Sequence, residues 1–323
     1  MKQAVVFGNT DPGLVRTNNE DAFIAQKVWD NNYWLLAVID GLGGYEGGEI
    51  AAEIARKEIV DYVEGNEGKN CLEVIAQAVC NANNSIYRQR LEKYDSKDMG
   101  CVLTAAILDL KDSRMYIAHV GDTRLYQCSE NSITKLTYDH SFVGILEDEG
   151  KISEIDAMNH PRRNLVDRIL GDEIKTVETS DFIDSAIIPI ENGAYFLFCS
   201  DGLSDLLTSN EIKSVITEKG KVKSKVHKLI SLANQKGGKD NITAVVVNIN
   251  NVPTSLKKVG VKKENYRHGN ISYSKKHVKN KKNKEDQSIK IIEENHKGLS
   301  LGYFLLILVL LVIIAALIIL LLR

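Results

Sequence analysis

The chain has 323 residues, 44% of them hydrophobic, which is enough for a sizeable core. Its formal net charge of −2 conceals two unlike parts: residues 251–298 carry 13 Lys+Arg against 5 Asp+Glu, and residues 1–250 are left with −11. An acidic body of that kind argues against nucleic acid as its main partner, because a phosphate backbone demands Lys and Arg.

In chain order, Tyr33–Ile39 is a short apolar run that ends just before Asp40 and reads as a buried strand. Helical patterns follow over 48–63 and 71–91. In the first, Ile50, Ile54, Ala55, Ile59 and Tyr62 are spaced as one apolar stripe. Runs at 102–109, 114–119, 123–127 and 133–136 succeed one another through short polar turns and predict an antiparallel meander. Residues 194–199 form another strand ending before an aspartate, 222–234 a helix and 242–249 a last strand. A meander with helices elsewhere predicts an α+β class, with helices packed outside sheets.

Beyond residue 250 the pattern changes. Residues 251–298 hold four Lys-Lys pairs and almost no apolar periodicity, and read as a basic, disordered linker. Within 299–323, residues 301–322 are an uncharged apolar run. As a helix it would reach about 33 Å, enough to cross a bilayer core. Lysines ahead of such a helix place residues 1–300 in the cytoplasm, so the expectation is a single-pass membrane protein with a cytoplasmic body. The five cysteines, at 71, 80, 101, 128 and 199, contain no C-x-x-C pair, and no secretory signal precedes them. Reduced thiols are expected.

The chemistry gathers around acidic residues that flank apolar runs or turns: Glu20-Asp21, Asp40-Gly41, Gly121-Asp122, Asp201-Gly202 and Asp240-Asn241. Carboxylates brought together from distant parts of a chain repel unless a cation lies between them. Oxygen ligands of this type suit a hard divalent ion. Asp40-Gly41-Leu42-Gly43-Gly44 lies between a strand and a helix, where a dinucleotide loop could lie, but it lacks the third glycine and opens on a carboxylate. Cysteine-based phosphate chemistry needs an arginine six residues after the nucleophile. Those positions hold Gln77, Ile86, Ile107, Thr134 and Asp205. No Gly-x-Ser-x-Gly elbow occurs either.

The ordered set Asp11-x-Gly13-x-Val15-Arg16-x-x-Asn19-Glu20-Asp21, Asp40-Gly41-x-Gly43-Gly44, Gly121-Asp122-Thr123-Arg124, Asp139-His140-Ser141, Ser200-Asp201-Gly202 and Asp240-Asn241 resembles the PPM family in its bacterial form. These are the type 2C metal-dependent protein-serine/threonine phosphatases, and the resemblance spans residues 1–250. It implies a four-layer α/β/β/α sandwich of two mainly antiparallel sheets flanked by helices. It implies two Mn²⁺ or Mg²⁺ ions bridged by Asp40, with the Gly41 carbonyl on one and Asp201 and Asp240 completing the other. Glu20 and Asp21 would act on the ions directly or through water. Asp122, with Asp201, would hold a weaker third ion, and Arg16 the substrate phosphate. Gly144, Gly150, residues 159–161 and residues 164–171 resemble the family's flap. Eukaryotic relatives carry His where Leu42 stands, so the donor of the leaving-group proton is not identified.

The reading is therefore a membrane-tethered protein phosphatase acting through water activated by two metals. Its partners are phosphoproteins, a Ser/Thr protein kinase and that kinase's substrates. Two alternatives stay open: a tethered pseudophosphatase that only binds, and a phosphatase dedicated to one phosphoprotein.

Overall fold

The computed structural model describes residues 3–43, 47–92, 99–178 and 181–250. Gly44, the basic linker and the apolar run at 301–322 lie outside the described residues. Among the described residues no helix is long and apolar enough to cross a membrane.

Among the described residues ten strands form two five-stranded antiparallel sheets. One has the order β2 (Asp21–Val28), β3 (Tyr33–Leu42), β4 (Gly100–Asp109), β5 (Arg114–Val120) and β8 (Asp184–Pro189). The other has β1 (Gln3–Asp11), β10 (Ile242–Asn250), β9 (Tyr195–Cys199), β6 (Arg124–Cys128) and β7 (Ile133–Lys135). The central strands are apolar on both faces because both faces are covered. In β3, Leu35, Ala37 and Ile39 point to a cluster with α1 (Gly47–Glu64) and α2 (Cys71–Glu92). Leu36 and Val38 point into the layer between the sheets. In β10, Val245, Val247 and Ile249 fill that same layer, while Ile242, Ala244 and Val246 pack against α6 (Ser209–Thr217) and α7 (Val222–Gln235). Three clusters stacked in this way make the α/β/β/α sandwich, as the family resemblance implied.

Three expectations need correction. The meander does not stay in one sheet: β4 pairs with β5, but β6 pairs with β9 and β7 in the other sheet. The chain changes sheets at Gly121, whose φ of +105° is a conformation that glycine tolerates best. A Cβ there would lie 2.2 Å from the Val102 side chain. Second, β3 runs on through Asp40 to Leu42 rather than ending at Ile39, so Asp40 sits within a ladder. Third, the buried stripe of α1 is centred on Ala51, Ala55 and Ile59, and Ile50, Ile54 and Tyr62 are only partly buried at its edges. Small residues face the sheet because they let helix and strand approach closely. Strands β1, β2 and β8, and the helices α3 (Phe142–Asp148), α4 (Glu154–Met158), α5 (Asp201–Ser204) and α6, were not among the expected elements, although Ile212, Val215 and Ile216 of α6 have helical spacing.

Candidate metal centre

Strand register brings the acidic residues to one end of the sandwich. In the first sheet Asp21 and Asp40 are Cα partners on β2 and β3, and Ile39, Leu103 and Val120 align beside them, one step before the Gly121 corner that carries Asp122. In the second sheet Cys199 aligns with Arg124 and Ala244. Asp201 therefore follows β9, and Asp240 precedes β10, at that same end.

Asp21 ties the sheets together. Its Oδ2 accepts hydrogen bonds from Ser200 Oγ at 2.8 Å and Thr243 Oγ1 at 2.6 Å, both from the opposite sheet. Thr243 N–H in turn donates to Ser200 Oγ at 3.0 Å. The other carboxylate oxygen, Oδ1, is buried with no hydrogen-bond partner. Burial first, then the nearby Asp240 and Glu20, push the Asp21 carboxyl up to about 7 against those two hydroxyl donors. Asp40 is raised well above the carboxylate range, first by burial and then by Asp21, Asp201, Asp122 and Asp240. Asp201 is raised in the same way, by burial and by Asp205, Asp122, Asp240 and Asp21. Asp122 is pushed up to about 7 by burial, Asp139 and Asp205, with Arg124 opposing.

Tight backbone packing holds these residues close. Gly41 N–H donates to the Glu20 carbonyl at 3.1 Å, and a Cβ on Gly41 would lie 2.2 Å from the Gly48 carbonyl oxygen at the start of α1. A Cβ on Gly48 would lie 2.9 Å from the Gly41 carbonyl carbon and 2.1 Å from Glu20 Oε2, so a side chain there would displace Glu20. A Cβ on Gly202 would meet the Asn241 carbonyl oxygen at 2.0 Å. Asn241 staples the acidic loop to β10: its Oδ1 accepts from Glu20 N–H at 2.8 Å, and its Nδ2 donates to the carbonyls of Pro12 at 3.0 Å and Asn18 at 2.9 Å. Arg16 projects from this loop, about half exposed, and its Nη2 donates to Asp240 Oδ2 at 2.8 Å.

These observations fit divalent ions. Asp21, Asp40, Asp122 and Asp201 are all raised, with neighbouring carboxylates among the causes at each, one buried oxygen lacks a partner, and the donors are all hard oxygens. Among the described residues no three His, Cys, Asp or Glu side chains close around a point as a preformed cage. Small hard cations of the magnesium type do not need one, because they retain several waters and use one or two carboxylates each.

The structure brings Asp21, Asp40, Asp122, Asp201 and Asp240 into mutual electrostatic range, with the Gly41 backbone, Glu20 and Arg16 at the edge. The sequence reading did not single out Asp205, and it met Arg124, Asp139 and His140 only as parts of the ordered motifs, without a role. Asp205, four residues after Asp201, is partly buried and raises Asp201; that spacing across a helical turn was the available signal. His140 Nδ1 accepts from Gly121 N–H at 3.0 Å, and His140 N–H donates to the Gly121 carbonyl at 2.7 Å, which fixes the corner bearing Asp122. Arg124 bonds Asp139 Oδ2 at 2.6 Å and Glu147 Oε2 at 2.7 Å, anchoring α3. The cysteines offer no nucleophile: all five are free, four are buried, and burial raises the thiol at each position.

Residues 15–246 match the family model described as protein phosphatase 2C. The serine/threonine phosphatase stp of Listeria welshimeri is 35% identical over 247 residues, covering 75% of this chain and 94% of that protein. The crystal structure of the Mycobacterium tuberculosis serine/threonine phosphatase PstP/Ppp superposes with a TM-score of 0.67 at 32% identity, over 78% of this chain and 100% of that one. The catalytic domain of PstP, solved in complex with two manganese ions, gives a TM-score of 0.67 at 30% identity over the same shares. The chain belongs to the protein phosphatase 2C family and is a protein phosphatase.

Proposed function

We propose that the chain hydrolyses phosphoserine and phosphothreonine in proteins, with two Mn²⁺ or Mg²⁺ ions. The observation that carries this reading is the register pair Asp21–Asp40, set among further carboxylates, with buried Asp21 Oδ1 left without a donor. Asp40, the Gly41 carbonyl, Asp201 and Asp240 would hold the two ions, with Glu20 and Asp21 beside them and Asp122 with Asp201 at a third, weaker position. Bound ions of this kind supply hydroxide from water near neutral pH and neutralise phosphoryl charge.

The chain's own residues do the rest. Ser200 and Thr243 fix one Asp21 oxygen, so its other oxygen is aimed without entropy loss at the moment of binding. Arg16 presents a planar fork to two phosphate oxygens, and phosphate competes with Asp240 for that fork. Asn241 sets the distance between Arg16 and the carboxylates by holding both ends of the loop.

The proposal extends to location. The apolar run at 301–322 anchors the chain in the cell membrane by one pass, the basic linker lies against anionic lipid, and residues 1–250 face the cytoplasm. Confinement there raises the effective concentration of membrane-bound partners, a Ser/Thr protein kinase and its substrates.

The deciding experiment is hydrolysis of a phosphothreonine peptide by the full chain in detergent, with Mn²⁺ and with chelator, for wild type and Asp40→Asn. Metal-dependent turnover that disappears in the variant supports the reading. A folded wild type with no turnover under any divalent metal transfers the site to the binding-only alternative.

A further inference from the structure

The loop between Asp11 and Asp21 is fixed along its length. Gly13 N–H donates to Asp11 Oδ1 at 2.9 Å, Leu14 N–H donates to the Gly238 carbonyl at 2.7 Å, and Asn241 holds the Pro12 and Asn18 carbonyls. Gly13, at φ +79°, lies so close to β10 that a Cβ would stand 2.2 Å from the Asp240 carbonyl oxygen. A loop held in this way cannot turn its side chains inward. It nevertheless keeps Leu14 68% and Val15 64% exposed, immediately before Arg16. Single exposed apolar residues are ordinary. Two adjacent ones on a fixed loop, beside an arginine that faces the site, are placed to be covered when something binds there.

We propose that Leu14 and Val15 form an apolar lip that seats an apolar side chain of the substrate, next to its phosphorylated residue. The inference rests on the reading of Arg16 as the phosphate anchor, because that anchor puts the flanking residues of the substrate within reach of the lip. The partner is a phosphopeptide segment with Leu, Ile, Val or Phe near the phosphoresidue. Covering a leucine-sized side chain changes a binding constant by about tenfold or more, so the preference should be of that size.

The test uses the full chain in detergent with Mn²⁺. Its substrates are phosphothreonine peptides with Leu or Ser at single positions within about three residues of the phosphoresidue, the reach of a two-residue lip along an extended chain. A third substrate, 4-nitrophenyl phosphate, has no flanks at all. Wild type is expected to favour Leu over Ser about tenfold in kcat/KM at one or more positions. Leu14→Ser with Val15→Ser should bring that ratio near one while 4-nitrophenyl phosphate turnover stays within about twofold. Leu14→Lys should shift the preference toward acidic flanks. A ratio that survives the double variant overturns the proposal, as does equal use of all peptides by wild type. A proportional fall on all three substrates also overturns it, since the pair would then act through the loop itself. An unchanged ratio with concentration-dependent self-association would assign the patch to a second copy of the chain. Failure of wild type on every substrate would instead sink the phosphatase reading on which the lip depends.

Discussion

Asp21 and Asp40 stand opposite each other on neighbouring antiparallel strands, two carboxylates where a ladder would ordinarily pair apolar or oppositely charged residues. Like charges directly opposite destabilise a sheet, and here burial and three further aspartates add to the strain. The pairing is sensible only if the site is completed by cations, so function and stability should move in opposite directions when it is altered.

Asp40→Asn should separate them. Residues that merely orient metal ligands cost about 10–100-fold when removed, so loss of a bridging ligand should cost more than about 100-fold in turnover. In chelator the same variant should melt a few degrees above wild type at neutral pH, because a carboxyl whose ionisation the fold opposes is gone. Thermal melts with EDTA and with Mn²⁺ check both halves: the variant should start higher and gain less from the metal.

The metal-free protein should lose stability as pH rises. Asp21 and Asp122 titrate near 7 in the folded state, above their ordinary value near 4, so the native state binds more protons than the unfolded one between those limits. Their stabilising contribution is complete below about pH 4 and disappears as pH passes through about 7. Melts in chelator from pH 5 to pH 8 should fall by about 5 °C or more, and Mn²⁺ should remove most of that slope. A flat or rising profile in chelator would show that these carboxyls are not protonated in the metal-free fold.

Gly202→Ala puts a methyl 2.0 Å from the Asn241 carbonyl oxygen, and backbone cannot yield as a side chain can. Overpacking costs roughly 1–3 kcal/mol in cores, and this contact should lie at the upper end. Urea unfolding should show a lower midpoint with unchanged slope, and turnover should fall because the displaced segments carry Asp201 and Asp240.

Arg124→Met should leave Asp139 and Glu147 without their shared cation. Removing one member of a buried ion cluster costs about 3–5 kcal/mol. Replacing Asp139 and Glu147 by apolar residues of similar volume in the same chain should recover much of it. Equilibrium unfolding of the single and triple variants measures the difference. Recovery of stability without recovery of turnover would identify α3 as a support of the site.

The alternation of apolar residues, the long helical patterns of α1, α2 and α7, and the short runs of β3, β9 and β10 were all legible in the chain, because each element is covered by the core on a regular period. The acidic motifs were legible too, since Asp40, Asp201 and Asp240 adjoin apolar strands where a carboxylate has no structural use. Sheet membership was not. The runs from β4 to β7 have the spacing of a meander, but the chain passes into the second sheet at Gly121, close against Val102, and that corner carries Asp122. Nor could local pattern show that Ser200 and Thr243 hold Asp21 from across the sandwich, or that Asn241 clamps the Arg16 loop from more than two hundred residues away. Hydrophobic period depends on neighbours along the chain and so belongs to the sequence. The meeting of five carboxylates depends on strand register between distant segments, which only the folded core decides.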